Sequence, residues 1–388
     1  MIKRTLEHSI LDQKNKFPVI AITGPRQSGK TTLAKKLFPK YKYFNLEDLN
    51  TKQVVKNDPV GFIEKLKNPV IIDEIQKMPE LLSQIQVQVD ADKLMGQFII
   101  TGSESLILSA KISQSLAGRV ANNILLPLSY QELISTKRQI KDLDLQMLTG
   151  FYPRIYDTKM NYQDFYPEYI NTYVEKDVRQ LRNIGDLSSF ERFLQLLAGR
   201  VGQILNLSSL ANDVGVTYNT IEQWISILEA SYIAFRLQPF YNNLGKRAIK
   251  SPKIYFYDTG LLCYLLGINS PQEFQTHFAY GNIFENLVIV EVKKQILHNK
   301  LPNKVYFFRD SNKVEIDLVI DAGSSLHYCE IKSSKTFNNN YLKNFSHIKQ
   351  LAGVSATQHI VYQGKLEQNM GKVELLNFKH LDQLVKRS

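Results

Sequence analysis

Cysteine is nearly absent. Two thiols, Cys263 and Cys329, occur in 388 residues, each in an apolar context with no Cys or His at ligand spacing. That argues against a zinc site and for a reducing compartment. The seven histidines form no HxxH or HxxxH pair, so none is assigned to a metal. No stretch approaches the roughly 18 apolar residues that a membrane span requires. The N-terminal "MIKRTLEHSILDQ" has helical apolar spacing but lacks the uninterrupted apolar core of an export signal. The expectation is a cytoplasmic protein with no membrane partner.

The length exceeds one small core and implies two or three domains. A hydrophobic content of 44% and a charged content of 22% are ordinary for a soluble chain. The net charge of +11 fits a nucleic-acid or other polyanionic partner, and equally a lysine-rich surface.

The most informative passage is "FPVIAITGPRQSGKTTLAKKLF". The apolar run Val19 to Ile22 reads as a buried strand. It enters Gly24-Pro25-Arg26-Gln27-Ser28-Gly29-Lys30-Thr31, which fits G-x-x-x-x-G-K-[ST], and helical spacing resumes from Thr32. Glycines let backbone N–H groups close around phosphate oxygens, and the helix N-terminus adds its dipole. Lys30 is placed to neutralise the β- and γ-phosphates of a nucleotide, and Thr31 to hold Mg²⁺. In "NPVIIDEIQKMPEL" a second apolar strand ends in Asp73-Glu74. Asp73 suits the Mg²⁺ side, through water, and Glu74 suits polarisation of an attacking water. A third strand, Phe98 to Ile100, ends in Thr101-Gly102-Ser103, where Ser103 reads as a γ-phosphate reporter or as a plain strand-to-loop turn. Arg119, in "LAGRV", reads as an arginine finger acting within the chain or from a neighbouring subunit, or as a surface arginine after a glycine turn.

Taken together, "GPRQSGKTTL", "YFNLEDL", "VIIDEIQKMPELL", "IITGSES" and "LAGRV…LPLSYQE" resemble the AAA-type ATPase core of bacteria and archaea, distantly similar to origin-recognition-type ATPases. The resemblance covers about residues 1–135. It implies a parallel sheet between helices, ATP as the nucleotide and Glu74 as the base.

A polar boundary, "STKRQIKDLD", leads into a helical middle. In "LNLSSLANDVGVTYNTIEQWISILEASYIAFRLQPF", Ser208-Ser209 can cap a short helix, Gly215 can turn the chain, and Thr217 can cap a second helix to about Glu229. Strands at Ile233 to Leu237 and Lys253 to Tyr257 would complete a winged helix. Tyr218, Asn219, Thr220, Gln223 and Ser226 offer base-edge chemistry, although Glu222 shares their helix. Cations for phosphate contact come from "NNLGKRAIKSPK", with Lys246, Arg247, Lys250 and Lys253 and no acid. A structural lid packed on the ATPase fits the same pattern. From about residue 150 onward the chain resembles the C-terminal domain of unknown function regularly fused to this ATPase core.

The last part has the order helix–strand–strand–strand–helix–strand and resembles the PD-(D/E)xK nuclease core. Glu330 and Lys332 in "YCEIKSS" stand in that family's ExK positions and Asp317 in its acidic position. Glu285 matches the first-helix acid of the Holliday-junction-resolvase branch. The resemblance implies that Asp317, Glu330 and Glu285 bind Mg²⁺ and that Lys332 orients water or stabilises charge on phosphorus. Such an ExK pair also occurs as a cross-strand ion pair on a solvated sheet face.

The expected architecture is α/β throughout: an AAA-type P-loop ATPase core over 1–135, a helical and winged-helix domain over 150–265, and a nuclease-like α/β domain over 275–388. The expected activity is Mg²⁺-ATP hydrolysis coupled to nucleic-acid engagement, DNA more than RNA, with or without cleavage. The alternative is a nucleotide-dependent switch that binds DNA or a protein partner, with a homo-oligomer as one form.

Overall fold

The computed structural model describes residues 2–66, 69–103, 115–173, 187–240, 250–310, 312–343, 345 and 356–386. Near the N-terminus, β1 (Val19–Thr23), β2 (Lys42–Asn45), β3 (Val70–Asp73), β4 (Phe98–Gly102) and β5 (Val120–Ile124) pair in parallel in the order β2-β3-β4-β1-β5. Every position of β1, β3 and β4 is buried, which explains their unbroken apolar runs: a parallel sheet is covered on both faces. Alternation along the strands divides the packing into two layers. Val19, Ala21, Ile72 and Ile100 face the helix Leu81–Asp92, and Ile20, Ile22, Ile71 and Ile99 face the helices Leu6–Gln13 and Lys30–Leu37. Because β4 lies between β1 and β3, three neighbouring strands deliver their C-terminal loops to one sheet edge. Ligands of parallel α/β sheets bind at that edge.

Arg119 is at the opposite edge. Its carbonyl accepts the N–H of Val19, the first residue of β1, at 3.1 Å. A five-residue strand, roughly 13 Å long, separates that point from the phosphate loop. The Arg119 guanidinium is held by Asp90 at 2.5 and 2.9 Å. The expectation that it acts as an arginine finger within the same chain is therefore corrected by the strand direction.

In the middle segment, the helices Leu207–Val214 and Tyr218–Ala230 meet at Gly215, whose φ of 86° supplies the turn. Thr217 caps the second helix as expected, accepting from the Thr220 N–H. The first helix is capped by Asn206, not by Ser208-Ser209: its side chain accepts the Ser209 N–H, so the helix starts one residue before Ser208. β6 (Ala234–Leu237) and β7 (Lys253–Phe256) follow as an antiparallel pair. Of the four cations expected to contact phosphate, Lys246 and Arg247 lie outside the described residues, and Lys250 is exposed. Lys253 is 1% exposed and ion-paired, so its assignment as a phosphate clamp is withdrawn.

The C-terminal segment opens with the helix Tyr280–His298. β8 (Lys304–Arg309), β9 (Glu315–Asp321) and β10 (Leu326–Lys332) form an antiparallel meander. β11 (Ala356–Tyr362) pairs parallel to β10, and β13 (Val373–Asn377) pairs parallel to β11, with β12 (Gln368–Met370) at the edge. The helix expected between β10 and β11 lies mostly outside the described residues. The middle and C-terminal segments share one apolar cluster, which also takes in Ile2, Leu126 and Leu128 from beside the ATPase sheet. Among the described residues no helix is long and apolar enough to cross a membrane.

Candidate functional site

The phosphate loop leaves β1 at Gly24. There φ is +148° and a Cβ would stand 2.2 Å from the Leu125 carbonyl oxygen, so only glycine fits between β1 and the end of β5. Gly29 (φ 93°) and Gln27 (φ 59°) both take the left-handed region, and the latter is a costly choice for a residue with a Cβ. The loop ends at Lys30, the first residue of its helix. The Lys30 ammonium bonds to the Gly24 and Pro25 carbonyls at 3.0 and 2.8 Å, inside the curve of the loop.

Asp73 is 4% exposed and receives hydroxyls from three directions. Thr31 donates at 2.9 and 3.1 Å, Tyr43 donates at 2.7 Å, and Thr101 donates as well. Thr31 and Asp73 are thus side by side, one hydroxyl and one carboxylate, the hard oxygen pair that Mg²⁺ takes together with phosphate oxygens. Burial and the Asp73 carboxylate push the Tyr43 phenol up, so it stays a donor to Asp73 at every working pH. Glu74 follows in the left-handed region (φ 58°), which turns its carboxylate away from Asp73 and toward Ser103 Oγ at 3.2 Å and Gln76. Ser103 therefore orients Glu74. Thr101, which the sequence reading placed just past the strand and gave no role, joins the two acids by donating to Asp73 and accepting from the Glu74 N–H at 3.4 Å.

These groups line a cleft of about 580 Å³. Arg26, Gln27, Ser28, Gly29, Lys30, Thr31 and Thr32 form one stretch of the lining, and Glu74 and Ser103 contribute to it. A second stretch of the lining is Pro153, Arg154, Asp157 and Thr158 of the helix Pro153–Thr158. Arg154 is exposed, and its guanidinium has no ion-pair partner among the described residues. Sequence reasoning missed it because its only signal is a proline-started helix just past the ATPase core.

Arg4 was missed as well. It is 6% exposed and donates to the Ser28 carbonyl of the phosphate loop at 2.9 Å, to the Leu126 carbonyl at 2.6 Å and to Glu132 at 3.1 Å. Glu132 also accepts from the Thr5 and Ser129 N–H groups. Burial alone would raise the Glu132 pKa, but the Arg4 guanidinium and these backbone donors hold it down at about 2. The chain of contacts continues into the C-terminal segment. The Leu126 N–H donates to His298 Nε2 at 3.3 Å, and Lys294 donates to the Leu128 carbonyl at 2.8 Å. Burial pushes the His298 pKa down to about 4, so the ring is a neutral acceptor there.

In the C-terminal sheet, Lys332 meets Glu330 at 2.7 Å and Asp317 at 3.5 Å, and Asp317 also accepts the Ile331 N–H at 2.7 Å. The expected trio is thus brought together only in part. Glu285 is held by Lys253 at 3.2 Å and the Tyr255 hydroxyl at 2.5 Å, close enough to Asp317 to feel its charge. Burial raises the Glu285 pKa to about 7 against the pull of Lys253. Among the described residues no three acidic, His or Cys side chains converge as a metal-binding group. Each of the three carboxylates expected to hold Mg²⁺, Glu285, Asp317 and Glu330, faces a lysine.

A phosphate loop, two acids and a hydroxyl pair on three adjacent parallel strands make this molecule a P-loop ATPase of the AAA type. Comparison with known families agrees: an AAA domain matches residues 16–134, a domain of unknown function (DUF8612) matches 140–272, and another (DUF4143) matches 280–381. Uncharacterized protein Rv2008c of Mycobacterium tuberculosis is 30% identical over 327 residues, covering 83% of this chain and 72% of that protein. Uncharacterized protein MJ1544 of Methanocaldococcus jannaschii is 22% identical over 351 residues, covering 82% and 75%. The chain belongs to the family that joins this AAA domain to a C-terminal DUF4143 domain. Among solved structures, the Walker-type ATPase PABY2304 of Pyrococcus abyssi has a TM-score of 0.44 at 13% identity, covering 68% of this chain and 96% of that one. RuvB of Thermotoga maritima has a TM-score of 0.30 at 18% identity, covering 60% and 86%.

Proposed function

We propose that the protein hydrolyses ATP in the cleft between the phosphate loop and the helix Pro153–Thr158, and uses the nucleotide state to control nucleic-acid engagement by its middle and C-terminal segments. The observation that carries this reading is the shared cleft: a nucleotide seated there touches both the ATPase sheet and the next segment. Loop N–H groups and Lys30 bind the phosphates, and Thr31 with Asp73 would hold Mg²⁺, which would supply charge neutralisation to the phosphates. Glu74, oriented by Ser103, takes a proton from the attacking water as the bond from the γ-phosphorus to its bridging oxygen breaks. Arg154 reaches the phosphates from the helix Pro153–Thr158, in the role that Arg119 cannot fill within the chain.

For the nucleic-acid side, the helix–turn–helix and the β6–β7 pair support a winged-helix reading. Tyr218, Asn219 and Gln223 are exposed on the second helix. Glu222, the acid that would repel phosphate there, is neutralised by Arg236 at 2.7 Å. The β8–β9–β10 meander with a parallel β11 supports a nuclease-like core, but the lysine-paired acids favour binding over cutting.

The test is nucleotide binding and phosphate release by the wild type, Lys30→Ala, Arg154→Ala and Arg119→Ala. Lys30→Ala is expected to lose ATP binding. Arg154→Ala is expected to lose roughly tenfold or more in kcat/KM, as a charge-assisted phosphate contact does. Arg119→Ala should retain turnover at protein concentrations where the chain is a monomer. Full ATP affinity in Lys30→Ala would refute the site. Unchanged turnover in Arg154→Ala would remove the helix Pro153–Thr158 from it.

A further inference from the structure

Lys253 is 1% exposed, a buried cation that the ATPase reading leaves unused. It is the first residue of β7 and follows a basic stretch of sequence, so sequence alone presents it as one more surface charge. Its ammonium instead lies 2.6 Å from Glu315 of β9 and 3.2 Å from Glu285 of the helix Tyr280–His298, above the ring of Phe307 on β8. Burial works against its charge, but Glu285, Asp317 and Glu315 together outweigh that and hold the ammonium protonated. Around it the pairing is complete: Arg309 takes the second oxygen of Glu315 at 3.0 Å, and Lys332 takes Glu330 and Asp317. The surrounding backbone is stitched too. Phe240, beyond β6, donates its N–H to the Phe307 carbonyl at 2.7 Å, and Phe307 donates to the Gln238 carbonyl at 3.2 Å. Lys253 therefore stands where the β6–β7 pair meets the C-terminal sheet.

We propose that Glu285 and Asp317, two of the three acids expected to form a divalent-metal centre, belong instead with Glu315 to a lysine-neutralised joint, in which Lys253 occupies the cation position and binds the middle segment to the C-terminal sheet. This stands independently of the ATPase reading. A divalent ion bridging these carboxylates would have to displace a buried ammonium whose own charge would then be left without a partner, a costly exchange. The chemistry that remains is recognition: Lys332 and Arg309, each about a quarter exposed, are the cations at the rim of the joint.

The experiment uses the full chain without nucleotide. Mn²⁺ binding followed by electron paramagnetic resonance is expected to give the same isotherm for the wild type and Asp317→Asn; one equivalent of Mn²⁺ lost in Asp317→Asn overturns the proposal. Thermal melts give the second readout. Lys253→Met is expected to lower Tm by roughly 5–10 °C, because Glu285 and Glu315 lose their buried partner. Adding Glu285→Gln in the Lys253→Met background is expected to recover a large part of that loss. A double variant no more stable than Lys253→Met overturns charge compensation as the role of Lys253, and this comparison holds even where the single variant folds poorly.

Discussion

Glu74→Gln is expected to bind ATP as tightly as the wild type while turning it over roughly 10²–10⁴-fold more slowly, the span over which a general base acts. Glutamine has the same shape, so it preserves the left-handed backbone at position 74 and still presents an oxygen to the Ser103 hydroxyl. What it loses is the ability to take a proton. The Thr31 and Asp73 pair and the Lys30 contacts are untouched by the change, so phosphate binding persists. The check is steady-state phosphate release together with the nucleotide retained after gel filtration. Retained ATP with turnover lost identifies Glu74 as the base, and normal turnover would assign that role elsewhere.

The second large effect is structural. Arg4→Met removes three hydrogen bonds from a buried guanidinium and leaves Glu132, 2% exposed at its side chain, without its charge partner. Stranding a buried carboxylate in this way costs about 3–5 kcal/mol. In a melt this corresponds to a fall in Tm of roughly 5–15 °C for a chain of this size. The pH dependence follows with a definite sign. In the wild type the folded-state pKa of Glu132 is depressed to about 2, so its contribution to stability is present above the usual carboxylate pKa and fades as pH falls toward 2. In Arg4→Met the Thr5 and Ser129 backbone donors are left to oppose burial without the guanidinium, and acid destabilisation begins at a higher pH. Arg4→Lys keeps one charge but has no planar fork to span Ser28, Leu126 and Glu132 at once, so it should fall between the two. A variant as stable as the wild type would mean that solvent reaches Glu132.

The ATPase segment was open to reading because its chemistry is local. Eight consecutive residues build the phosphate loop, and Asp73-Glu74 end an apolar strand, so periodicity and spacing carry the signal. The contacts that join the segments are long-range, and their charges cannot be matched from sequence order. Arg4 looks like a surface residue of an N-terminal helix until Glu132, 128 positions away, closes on it. Lys253 reads as a solvent cation because its neighbours in sequence are basic, while its partners come from positions 285 and 315. Arg119 illustrates the reverse error. A glycine-arginine pair next to a P-loop core suggests catalysis, but only strand direction reveals which end of the sheet it occupies. The Asn206 cap was misplaced for a smaller reason: two adjacent serines are strong cap formers, and the choice between them and a nearby asparagine depends on where the chain enters the helix.

Arg4 links the nucleotide cleft to the C-terminal segment, and Arg154 lines the cleft from the middle one. Arg4 does so by tying the phosphate loop to Leu126 and, through it, to His298. If nucleotide state controls nucleic-acid engagement, the two binding events must share a coupling free energy, and each must shift the affinity of the other. The most direct measurement is fluorescence anisotropy of a labelled DNA duplex titrated with Glu74→Gln protein, once saturated with Mg²⁺-ATP and once with Mg²⁺-ADP, at two salt concentrations. The account predicts DNA affinities that differ between the two nucleotide states by at least about fivefold, the lower end of ordinary allosteric coupling, with both weakening steeply as salt rises. Equal affinities in the two states, or binding indifferent to salt, would contradict it.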